Sequence, residues 1–153
     1  MKSLASGPFA KKEIDHDSKG KVIGIHWRLG DLLTLEEKKP VELDRILQVL
    51  ITLIKSDPSI KLVQIASDSP LIASKYISRK FATLPVTLLE GEAIDIVKSL
   101  SVCDFFVGSN SKISCWITIA RYYQNSNLVS FLPKEVMHHI NLESNNISSI
   151  ISY

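Results

Sequence analysis

Val22-Ile23-Gly24-Ile25-His26-Trp27-Arg28-Leu29-Gly30-Asp31 decides how this chain folds. A short apolar run rich in β-branched residues stops abruptly at a histidine, an arginine, a glycine and an aspartate. It is too short for a helix, and its composition suits a strand buried on both faces. Such a strand belongs to a parallel sheet, and its polar end marks where the chain leaves the sheet.

Outward from this strand the pattern alternates. Residues 41–55 carry Leu43, Ile46, Leu47, Leu50 and Ile54 at helical spacing, and Asp57-Pro58 ends the segment. Residues 60–66 read as a second strand. Ser69-Pro70 then offers a cap and a first-turn proline for a helix with Ile72, Tyr76, Ile77 and Phe81. A third strand covers 85–89. A helix over 92–101 places Ile94, Val97 and Leu100 on one side. A fourth strand covers 104–107, and a helix over 112–123 carries Ile113, Trp116, Ile117 and Ala120. A fifth strand covers 128–132, and a short helix lies near 135–139. The pattern predicts an α/β fold: a Rossmann-like parallel sheet of about five strands with helices on both faces. Residues 1–20 read as a solvated lead-in, 21–139 as one domain and 140–153 as a polar tail.

Composition fits one globular domain. The 153 residues are 45% hydrophobic and 22% charged, with 18 basic and 16 acidic side chains. That balance offers no clustered basic face for a nucleic-acid partner. No apolar run reaches the roughly 18 residues of a transmembrane span. Cys103 and Cys115 sit in apolar contexts and read as buried thiols, which suits a reducing, cytoplasmic setting. No metal-ligand spacing appears. Glycine-rich dinucleotide and Walker-type phosphate loops are missing, as is a nucleophile elbow.

Three polar clusters follow strand ends: His26 to Asp31, Ser67-Asp68-Ser69, and Gly108-Ser109-Asn110-Ser111-Lys112. With the strand order 3-2-1-4-5 they meet at the carboxyl edge, where such sheets bind ligands. Arg28 can grip a phosphate with its planar fork. Ser111 can cap the helix starting at Lys112, whose amino end favours an anion. Each cluster also has a purely architectural reading. His26 could be an ordinary hydrogen-bonded histidine, Arg28 a partner of Asp31, and the serines helix starts. Trp27 and Trp116 read as packing residues.

His26-Trp27-Arg28-Leu29-Gly30-Asp31 resembles the His-x-Arg-Arg-Gly-Asp motif of the α1,2-fucosyltransferases. Variants of it occur in related α1,6- and protein O-fucosyltransferases. Ser67-Asp68-Ser69-Pro70 is similar to that family's Ser-Asp-Asp-Pro segment. Ser109-Asn110-Ser111-Lys112-Ile113-Ser114-Cys115-Trp116 resembles its Asn-Ser-Ser-Phe-Ser-Trp-Trp segment. Leu29, Ser69, Lys112-Ile113 and Cys115 depart from those patterns.

The resemblance implies the donor-binding half of a GT-B glycosyltransferase, transferring fucose from GDP-fucose to a glycan acceptor with inversion and without a metal or other cofactor. It implies that Arg28 contacts the diphosphate and stabilises the leaving GDP, with Asp31 as the candidate base. His26, Gly30 and Asp31 would shape the sugar-phosphate pocket. Ser67 and Asp68 would bind the nucleotide or organise its loop. Ser109, Asn110, Ser111, Lys112 and Ser114 would line the phosphate side. Only 25 residues precede His26, whereas the family carries an acceptor-side domain there. The alternative expectation is therefore a non-catalytic nucleotide-sugar-binding or interaction module, or half of an enzyme completed by a second chain.

Overall fold

The β-branched run at the start of the chain becomes the centre of a six-stranded, all-parallel sheet ordered β3-β2-β1-β4-β5-β6. The computed structural model describes residues 20–29, 41–140, 142 and 148–153, with side chains omitted at 41–43. The strands are β1 (Lys21–Trp27), β2 (Ile60–Ser67), β3 (Val86–Leu88), β4 (Phe105–Gly108), β5 (Val129–Leu132) and β6 (Ile150–Ser152). The helices are α1 (Val41–Ser56), α2 (Pro70–Lys80), α3 (Ala93–Ser101) and α4 (Lys112–Gln124), with a 3-10 turn at Lys134–His139.

Two cores cover the two faces of the sheet. Alternation along β1 sends Ile23, Ile25 and Trp27 toward Ile46, Leu50 and Leu53 of α1 and Ala73 and Ile77 of α2. The opposite face packs Phe106, Leu100, Cys115, Ile117 and Leu132 beneath α3 and α4. Both cysteines are free and buried, as their apolar contexts suggest. Gly24 lies against α3, where an added Cβ would sit 2.8 Å from Cys103 Sγ and 2.9 Å from Leu100 Cδ2. The glycine in the decisive strand therefore admits the crossover helix.

The Rossmann-like order expected from the alternation is present, with one more strand. β6 pairs with β5 where the sequence suggests only a polar tail. Three residues are too few for period-two alternation to stand out beside Asn and Ser. Three helical faces also differ from their spacing. Trp116 is 64% exposed and Ile94 is 59% exposed, so neither packs. α2 buries Ala73 and Ile77 and turns Ile72 and Tyr76 outward. A helix with apolar residues on two sides has no unique inner face, and contact with the sheet chooses one. Leu43, the lead-in through Lys19 and most of the tail before Ser148 lie outside the described residues or side chains.

Buried Arg121 joins the second half of the fold. Its guanidinium, within α4, donates to the carbonyls of Leu100, Ser101, Cys103, Asp104 and Val129, and its Nε donates to Ser130 Oγ at 3.0 Å. Those carbonyls include the carboxyl end of α3, where the helix dipole favours a cation. Burial lowers its pKa to about 10, which leaves it charged at neutral pH.

Candidate functional site at the carboxyl edge

The register of β1, β2 and β4 makes three polar stretches emerge at one level. Trp27 lies opposite Ser67, and His26 lies opposite Gly108. The residues that follow, Arg28, Asp68 and Ser109, therefore leave adjacent strands side by side. Hydrogen bonds tie them together. Leu29 N–H donates to Asp68 Oδ1 at 2.7 Å, and Arg28 N–H donates to Ser109 Oγ at 3.0 Å. Asp68 thus organises the exit of β1. Ser67 Oγ accepts the Ser69 N–H at 3.0 Å and shapes the turn into α2. Ser69 itself makes no side-chain cap, so Pro70 alone carries the start signal there.

Behind this edge lies a buried polar network. Ser114 Oγ stands 2.8 Å from His26 Nδ1 and accepts the Ser109 N–H at 3.1 Å. The Ser109 N–H also reaches the His26 carbonyl at 3.0 Å. His26 Nδ1 and Ser114 Oγ share one hydrogen bond, whose direction follows the ring tautomer. Burial holds the His26 pKa down to about 4, with nearby Arg28 adding to the fall and Asp68 opposing it. The ring is neutral at pH 7.

His26, Ser109 and Ser114 therefore lock β1, β4 and the start of α4 to one another. Ser109 and Ser114 are fully buried, and Ser109 bridges the space where the strand order reverses. Gly108 permits the contact: a Cβ there would lie 2.7 Å from Ser114 Cβ and 2.6 Å from Leu132 Cδ2.

Arg28, Asp68, Asn110 and Lys112 are exposed along the rim. Ser111 has extended backbone angles, and its hydroxyl accepts the Ile113 N–H at 3.2 Å. That is the cap read from the sequence. It occupies one first-turn donor; the positive end of the α4 dipole faces the same rim. The rim offers two exposed cations, a helix amino end and small polar groups, a set suited to an anion. Gly30 and Asp31 lie outside the described residues, so the candidate base has no geometry here. Among the described residues no cluster of His, Cys, Asp or Glu could hold a metal.

One further residue enters the picture without a sequence signal. Tyr153, just past β6, donates its hydroxyl to the Gly108 carbonyl. Its ring also borders a concavity of about 350 Å3 with Asp44, Arg45, Gln48 and Val49 on the α1 side. Arg45 pairs with Glu135 at 3.0 Å. Trp27 is fully buried, and its indole N–H has no partner among the described residues.

No family model matches the chain, and no curated protein matches it. No helix of the described residues is long and apolar enough to cross a membrane.

Proposed function

We infer that the carboxyl edge binds the diphosphate of a nucleotide sugar, with GDP-fucose as the donor and a glycan as the acceptor. The observation that carries this reading is the register. Motif residues scattered between positions 26 and 114 emerge at one level around the amino end of α4. Arg28 supplies the charged fork and Lys112 a second cation, and the Asn110-to-Ser114 turn approaches with small side chains. His26 serves as a neutral positioning group rather than as a charge. It fixes Ser114 and thereby the first turn of α4. Asp68 positions the Arg28-Leu29 backbone.

In a transfer reaction, charge develops on the leaving diphosphate. Arg28 and the α4 amino end would stabilise that charge. Donor recognition and transfer are separable. Calorimetric titration with GDP, GDP-fucose and UDP tests the first, and GDP release in the presence of glycan acceptors tests the second. The reading expects GDP and GDP-fucose to compete for one site. It expects Arg28→Ala to weaken both by about 1.5–3 kcal/mol, the scale of a hydrogen bond to a charged group. Absence of binding refutes the reading. Binding with no transfer to any acceptor favours the nucleotide-sugar-binding module over the transferase.

A further inference from the structure

We propose that the outer face of α2 docks the protein on an anionic lipid surface. α2 packs on the sheet through Ala73 and Ile77 and turns the rest of its circumference to solvent. Leu71 is 78% exposed, and Ile72 and Tyr76 are each 40% exposed. Lys75, Arg79 and Lys80 are exposed on the same helix, which contains no acidic residue. Large apolar side chains interleaved with cations are what an interfacial helix presents to a charged membrane.

The neighbouring helix shows the contrast. α1 turns Asp44, Arg45, Gln48 and Thr52 outward, an ordinary solvated face. α4 also exposes aromatics, Trp116 and Tyr123, but adds only Lys112 as an exposed cation. Charge therefore singles out α2.

The positive surface continues beyond the helix. Lys80 and Lys61 flank a concavity of about 490 Å3 whose walls include Ile54, Ile60, Phe81 and Leu84. A hollow of mixed polarity that carries two cations suits a phospholipid headgroup. Shape separates a bilayer from an acidic protein. Leu71, Ile72 and Tyr76 stand out from the convex side of a helix. Such knobs penetrate a soft interface, whereas a folded partner would need a matching groove. On such a surface the lysine stems would lie against the apolar side chains with their ammonium groups in the phosphate layer, and Tyr76 would span the same boundary. This surface begins one turn after Asp68 and uses none of the side chains assigned to the nucleotide rim.

The test is cosedimentation of the full chain with vesicles of phosphatidylcholine, alone or mixed with phosphatidylserine. Soluble polyglutamate serves as competitor. The proposal expects binding to the mixed vesicles only, weakened by salt. Lys75→Gln/Arg79→Gln should lower the partition coefficient about twenty-five-fold, at about fivefold for each cation. Leu71→Ser/Ile72→Ser should lower it about tenfold. Both pairs are exposed, so unchanged thermal melting checks that the fold persists. No binding to the mixed vesicles overturns the proposal. So does binding that polyglutamate abolishes and Leu71→Ser/Ile72→Ser leaves unchanged, since that result assigns the face to an acidic protein segment.

Discussion

Lowering the pH should destabilise the protein through one residue, His26. Its ring is buried against Ser114, with the Nδ1–Oγ distance at 2.8 Å, and its pKa is held near 4 against an ordinary value of 6.5. The neutral ring shares a hydrogen bond with Ser114; a protonated ring would carry a charge into a dry site. Below pH 6.5 the unfolded chain takes up a proton that the folded chain refuses. Stability from this group is therefore complete above 6.5 and is lost as pH falls toward 4. At about 1.4 kcal/mol per pH unit the whole span corresponds to about 3 kcal/mol. That is a large share of the roughly 5–15 kcal/mol that holds a domain folded.

Urea titrations at stepped pH measure the effect, with tryptophan fluorescence as the probe. Buried Trp27 reports unfolding, while Trp116 is already 64% exposed and contributes mostly background. His26→Asn removes the titrating group while keeping a polar atom near Nδ1. The variant is less stable at neutral pH, and its stability should change less between 6.5 and 4. Parallel curves for the wild type and His26→Asn across that window would refute the reasoning. So would a His26 ring that titrates near 6.5 in the folded protein when followed by NMR.

Other substitutions separate architecture from surface. Gly108→Ala forces a Cβ onto Ser114 and Leu132; chemical denaturation should show a loss of about 1–3 kcal/mol. Arg121→Met leaves several buried carbonyls of α3, the turn after it and β5 without donors. Each orphaned group costs about 1–3 kcal/mol, so the variant should be largely unfolded by circular dichroism at room temperature. Trp116→Ser should change stability by no more than about 0.5 kcal/mol; a larger loss would show that Trp116 packs after all. Burial raises the Cys103 thiol to about 11, so thiol reagents at neutral pH should label it only under denaturing conditions.

The strands of the left half of the sheet are legible because their β-branched runs are long enough and end at polar residues. β1 is found almost to the residue. β6 escapes notice because Ile150-Ile151-Ser152 has no room for a period. The faces of α2, α3 and α4 fail for a different reason. Ile72, Ile94 and Trp116 satisfy helical spacing as well as the residues that pack, and only the neighbouring sheet selects among them. Arg121 sits in an apolar helix with no nearby acid in sequence, and its partners are carbonyls, which leave no sequence trace. The polar edge is legible as a cluster, but not that its inner members are buried: His26, Ser109 and Ser114 hydrogen-bond to one another and to the Arg28 backbone, partnerships that leave no sequence pattern. Arg28, Asn110 and Lys112 reach the rim as their positions after strand ends suggest.

The central claim is that the amino end of α4 and Arg28 hold a nucleotide diphosphate. Amide NMR during titration with GDP tests it most directly, because it locates the ligand as well as detecting it. The account predicts saturable shifts at Arg28 and from Asn110 to Ser114, with the amides of α2 unmoved and the shifts abolished in Arg28→Ala. Shifts confined to Asp44, Gln48 and Tyr153, or no shifts at millimolar GDP, would contradict it.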